Sequence, residues 1–159
     1  MEALRIWLEA TSLAAFVKGT YWAWPAIENV HFLGLALLVG MVGLFDLRML
    51  GMAKIVSPAA LHQKFVPIGI FGFFLCFVSG AMFFVASPGL YIYHPAFYLK
   101  MGFIVLAGLN VLVFYLTTFR HVESLGPEDA MPTRAKVIAA VSLLIWIGVI
   151  CFGRLLPFV

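Results

Sequence analysis

The sequence predicts an all-α integral membrane protein, a four-helix bundle preceded by an N-terminal interfacial helix. Composition is the first ground: 64% of the 159 residues are apolar or aromatic and only 11% are charged, against about 45–50% and about 25% in a soluble domain. Charge spacing is the second. Residues 29–45, 65–99, 101–119 and 137–153 carry no Asp, Glu, Lys or Arg, leaving gaps of 17, 35, 19 and 17 residues, close to the roughly 20 needed to cross about 30 Å of hydrocarbon as a helix. Third, no period-2 alternation competes with helix. The 16 phenylalanines exclude disorder, and two cysteines exclude a disulfide scaffold. Cys76 and Cys151 fall inside spans two and four, without a CxxC pair, and read as packed thiols.

The chain divides into an amphipathic segment, 1–20, and a bundle, 21–159, with spans at about 25–47, 58–86, 95–120 and 133–156. In the first segment Leu4, Trp7, Leu8, Ala14 and Ala15 recur at helical spacing, with Glu2, Arg5, Glu9 and Ser12 on another side. A secretory signal is not expected, because the first charge is Glu2 and no basic stretch precedes an apolar core. Pro25 opens the first span, Trp22 and Trp24 belong to the interface, and Asp46-Leu47-Arg48 is expected among the headgroups at the other end. Ser57-Pro58 caps the second span, which contains Pro67 and ends before Ser87-Pro88-Gly89. His94-Pro95 opens the third, which runs to about Arg120. The fourth runs from Pro132-Thr133 to Leu156-Pro157.

Arg48, Lys54, Lys64, Arg120, Arg134 and Lys136 gather on one side of the spans, and Arg5, Lys18, Lys100 and Arg154 on the other. The positive-inside rule makes the first side cytoplasmic and puts both termini outside, which in the bacterial inner membrane is the periplasm. The pI of about 9.0 reflects short basic loops interrupted by Glu123, Glu128 and Asp129, so no nucleic-acid partner is implied.

Polar groups within the spans carry the functional signal, since a charge near the bilayer centre costs about 2.5–3.5 kcal/mol on insertion scales. At the helical rise, Glu28 and His31 lie about 4.5 and 9 Å beyond Pro25, Lys100 about 7.5 Å beyond Pro95, and Arg154 about 4.5 Å before Pro157. All four fall in the outer leaflet and come from three helices, so a bundle can gather them around one pocket. Asn110 lies deeper on span three, and Ser142 and Trp146 lie on span four. Glu28 and His31 form an E-x-x-H pair, but a di-iron site needs two such pairs and two more glutamates, and only seven acidic residues exist. H-E-x-x-H, the zinc-protease pattern, is missing.

A b-type haem accounts for these residues together: His31 as axial ligand, with Lys100 and Arg154 neutralising the propionates near the outer surface. For the sixth ligand His94 stands nearer the interface and Met82 closer to the depth of His31, while a five-coordinate iron is the third option. His62 and His121, near the opposite ends of spans two and three, make a secondary bis-His candidate. Ordinary packing competes with each assignment: His31 bonded to Glu28 or a neighbouring helix, Lys100 snorkelling outward, Arg154 anchoring the last helix.

Glu28-x-x-His31-x-x-Gly34, Asp46-Leu47-Arg48-x-x-Gly51, Phe97-x-x-Lys100 with Ala107-Gly108-Leu109-Asn110, and Ser142-Leu143-x-x-Trp146-x-Gly148 with Gly153-Arg154 resemble a functionally uncharacterised family of bacterial four-span membrane proteins. More distantly, a first-span histidine followed by x-x-Gly, a basic residue ending that span and a lysine early in span three resemble HemJ-type protoporphyrinogen oxidases and CopD-like membrane proteins. The resemblance to the HemJ-type oxidases implies four spans and haem b, with His31 matching the haem-binding histidine and Lys100 the span-three lysine. That pattern also places a histidine two residues before the lysine, where this chain has Tyr98; the nearest histidine, His94, is six before it.

Three functions follow as expectations. The first is a membrane b-type cytochrome passing single electrons between quinone or a periplasmic redox protein and a larger complex, of which it could be an accessory subunit. The second is a haem-dependent oxidase of a porphyrinogen or another small reductant whose carboxylates meet Lys100 and Arg154. A CopD-like copper-handling protein using His31, Met82, His94 and Met101 is the third. The Ala36/Gly40 pair offers a small-residue face for a homodimer.

Overall fold

The computed structural model describes residues 1–52, 54 and 56–156. Among these it forms α1 (Glu2–Glu9), α2 (Ser12–Gly19), α3 (Ala23–Met49), α4 (Pro58–Ala86), α5 (Pro88–Ile92), α6 (Pro95–Thr117), α7 (Phe119–Glu123) and α8 (Thr133–Leu155), with no strand. α3, α4, α6 and α8 contain 27, 29, 23 and 23 residues and are each long and apolar enough to cross a membrane. Even 23 residues give a helix about 34 Å long. The protein is therefore a multi-pass membrane four-helix bundle.

Local chemistry sets the helix starts. Ser57 Oγ accepts from Ala60 N at 3.3 Å ahead of Pro58, and His94 Nδ1 accepts from Ala96 N at 3.2 Å ahead of Pro95. In each case the cap satisfies a free N–H and proline takes a first-turn position where its missing N–H costs nothing. Pro67 lies inside α4, which stays helical around it.

The structure corrects the sequence reading at several boundaries. The expected single interfacial helix is two, broken at Ala10-Thr11, where Thr11 Oγ1 accepts from Ala14 N at 3.3 Å and starts α2. Leu4, Ile6 and Trp7 of α1 are exposed, whereas Leu8, Ala14 and Val17 are buried, so the segment both presents apolar surface and packs on the bundle. Span three stops at Thr117, and Arg120 and His121 belong to α7. The 87–95 connection contains α5. Pro157, expected to close span four, lies outside the described residues.

The largest correction concerns Asp46 and Arg48, which are 4% and 0% exposed rather than set among headgroups. Arg48 Nε donates to Val56 O at 2.9 Å, and an Nη donates to Pro127 O at 2.7 Å and Gly126 O at 3.2 Å. One guanidinium thus ties the 50–57 and 124–132 connections to the end of α3. Ser142 of α8 is buried as well, while Asp46 Oδ2 and Arg48 Nη1 are buried without a hydrogen-bond partner among the described residues.

α3 packs along α4 and also meets α8, and α6 packs along α8. The α3–α4 crossing is close because glycines face each other: a Cβ on Gly34 would stand 2.8 Å from Gly72 O, and one on Gly72 would stand 2.6 Å from Leu38 N. Between α6 and α8 the ring of Phe103 occupies the space that a side chain at position 148 would take. Leu38, Ala107, Ile145, Trp146 and Val149 join α3, α6 and α8 in one cluster. Phe71, Phe74, Phe77, Leu106, Leu109, Leu116 and Leu144 point outward, a surface that suits hydrocarbon.

Candidate cofactor site

The site is built around His31, on the α3 face that meets α4. Its Nδ1 lies 2.8 Å from Ser79 Oγ. The same Oγ lies 2.6 Å from Leu75 O and 3.3 Å from Cys76 O, one turn back on α4. A carbonyl only accepts and a hydroxyl carries one proton, so Ser79 gives its proton to the α4 backbone and accepts from His31 Nδ1–H. That fixes the tautomer and leaves the Nε2 lone pair available. No described residue hydrogen-bonds to Nε2.

The ring is held on its other sides as well. Phe83 meets it edge-on with centroids 5.9 Å apart, a Cβ at Gly80 would stand 3.7 Å from its Cε1, and Cys76 Sγ contacts His31 O at 3.5 Å. Sequence reasoning passed over Ser79 and read Cys76 only as a packed thiol. The signal was present, since Ser79 is a small hydroxyl residue in a 29-residue apolar helix and is only 1% exposed.

Lys100 enters from α6. Its Cε and Nζ both stand 3.6 Å from where a Gly153 side chain would begin, so the ammonium lies against the last turns of α8. Its charge acts on His31 and on Cys76. It makes no hydrogen bond or ion pair with a described residue; the ion pairs among described residues join Arg5 to Glu2 and Glu9. Arg154 follows Gly153 in the last turn of α8 and is exposed. His31, Lys100 and the Gly153-Arg154 turn thus come from α3, α6 and α8 to one end of the bundle.

Other candidates have different surroundings. Glu28 is exposed, and its negative charge adds to burial in raising the Tyr91 phenol above its usual range. Met82 packs with Ile27 and Ala86 beside Val17 and lines a groove of about 220 Å³ with Val30 and Val78. His94 caps α6. Asn110 Nδ2 donates to Ile138 O at 3.2 Å, linking α6 to α8, and Trp146 lies in the α3–α6–α8 cluster. At the opposite end His62 Nε2 lies 2.7 Å from Tyr115 Oη and its ring lies tilted against Phe119, centroids 4.6 Å apart; His121 is exposed on α7. Among the described residues no three His, Cys, Asp or Glu side chains group as a metal site.

Comparison of the chain with protein-family models, with curated proteins and with solved structures finds no match.

Proposed function

We propose that this is a membrane b-type haem protein that transfers single electrons, His31 Nε2 being the atom that would hold the haem iron. The observation that carries the reading is the His31–Ser79 bond: an imidazole whose Nδ1–H is committed to an oriented acceptor presents Nε2 in the form an iron ligand needs. A porphyrin would bring its own nitrogen donors to the iron, so one imidazole from the chain would suffice, and the described residues hold no three-residue metal cluster. Lys100 gives the second support, being an ammonium with no ion pair among the described residues at the same end of the bundle; a propionate would neutralise it. When bound, the haem would supply a one-electron iron couple; the chain's part is to fix the imidazole, exclude water with Phe83 and set the local charge.

The basic residues favour a bacterial inner membrane orientation with the Arg48 end cytoplasmic and the His31 end and both termini periplasmic. Electron exchange at the His31 end would then use quinone or a periplasmic redox protein, the chain acting alone, as a homodimer or within a larger complex. Lys100, without an ion pair among the described residues, also favours a second reading, a HemJ-like oxidase in which that ammonium binds a carboxylate of a porphyrinogen or similar reductant.

The visible spectrum and metal content of the detergent-purified protein test this. A Soret band with iron near one per chain is expected, lost in His31→Ala and kept in His62→Ala, with Ser79→Ala weakening haem affinity about 10–100-fold. A colourless protein, stoichiometric copper, or full haem in His31→Ala would overturn it. Quinol-driven reduction without porphyrinogen turnover separates the carrier from the oxidase.

A further inference from the structure

α6 and α8 are bonded at Asn110–Ile138, and towards the Arg48 end they border an open groove of about 370 Å³ lined by Val113, Thr117, Thr133, Arg134, Val137 and Ile138. Its walls are apolar. The Thr117 hydroxyl donates to Val113 O at 2.7 Å, so that side chain's polar atom is already used within α6. Arg134 is an exposed residue in the first turn of α8, and no described carboxylate pairs with it.

From this juxtaposition we infer that the groove is a binding site for an anionic phospholipid, with one acyl chain along Val113, Val137 and Ile138 and the phosphate on the Arg134 guanidinium. The groove lies on the flank of two membrane-spanning helices, where hydrocarbon is the available filler. It reaches the first turn of α8, where headgroups begin, and the cation there has the planar donor set that fits a phosphodiester. A phosphate without the chain would leave the apolar walls uncovered, and a neutral lipid would leave Arg134 without a counterion. Lys136 carries the same charge two residues along α8 but does not line the groove, so it separates a built site from general attraction to a negative surface.

Native mass spectrometry of the purified protein in micelles containing phosphatidylglycerol and phosphatidylcholine tests the assignment, with a phosphatidylglycerol titration for affinity. One phosphatidylglycerol per chain is expected in preference to phosphatidylcholine. Arg134→Gln should weaken it about fivefold, the weight of one basic residue at an anionic membrane surface. Val137→Phe, which fills the groove and leaves the charge, should also weaken it, and Lys136→Gln should not. Equal binding of the two lipids, equal losses in Arg134→Gln and Lys136→Gln, displacement by millimolar inorganic phosphate, or a cysteine crosslink between two copies through positions 113 and 137 that excludes lipid would each overturn the proposal.

Discussion

Replacing Gly72 by alanine tests the packing that holds the candidate site. A methyl group there would stand 2.6 Å from Leu38 N, 2.7 Å from Gly34 O and 2.9 Å from Leu37 Cβ, whereas ordinary contact begins at 3.4 Å. Two of these neighbours are backbone atoms, which cannot swing aside, so α3 and α4 must separate by about 0.8 Å, the difference between 3.4 and 2.6 Å. Overpacking of this kind costs about 1–3 kcal/mol. Alanine also favours a helix over glycine by about 0.8–1.0 kcal/mol, which masks part of the loss. Gly40→Ala is the control, because nothing stands within 4 Å of its added carbon. The two variants should therefore differ by about 1–3 kcal/mol in reversible unfolding by SDS titration, with Gly72→Ala the weaker. The His31–Ser79 bond spans the same two helices at 2.8 Å, so Gly72→Ala should also lower any absorbance that depends on His31. Identical unfolding midpoints for the two variants would refute the close crossing.

Two further perturbations probe the ends of the bundle. Arg48→Met removes a buried cation that donates to Val56 O, Gly126 O and Pro127 O; with charged hydrogen bonds worth about 1.5–3 kcal/mol, it should lower stability by at least that much and speed amide exchange in 124–132, and unchanged exchange would show that the clamp carries no load. At the other end, hydrogen bonds from Arg5 and then Tyr93 hold the Glu2 carboxyl below its usual range, and the bond to Glu2 raises the Tyr93 phenol. A depressed carboxyl stabilises above its unfolded pKa of about 4.3 and loses that contribution as pH falls through the folded value. A raised phenol stabilises below about 10 and loses its contribution as pH rises through the folded value. Contact between α1 and α5, followed by Trp7 fluorescence, should therefore weaken at both extremes and be flat between them, while Glu2→Gln should lose the acid limb.

Spans and caps were legible in the sequence because they depend on residues near one another in the chain. The 29-residue helix α4, with Ser57 capping it and Pro58 as its first residue, forms from a largely apolar segment wherever its neighbours lie, since in hydrocarbon the backbone must satisfy itself. His31 and Lys100 stood out for the same reason, as polar groups in apolar runs. Which partners they meet was not legible. Ser79 lies 48 positions from His31, and the bond between them exists because Gly34 and Gly72 let two helices approach.

Asp46 and Arg48 show the limit most clearly. Read along the chain they are a charged span end, and local depth puts them among headgroups. In the folded protein the connection that follows α3 and the 124–132 connection, 78 and 79 positions away at Gly126 and Pro127, close over Arg48 and supply the carbonyls that make its burial tolerable. Helix formation is a property of a segment and follows from composition and spacing. Burial of a charge depends on acceptors brought from elsewhere, and only the tertiary arrangement decides where those are.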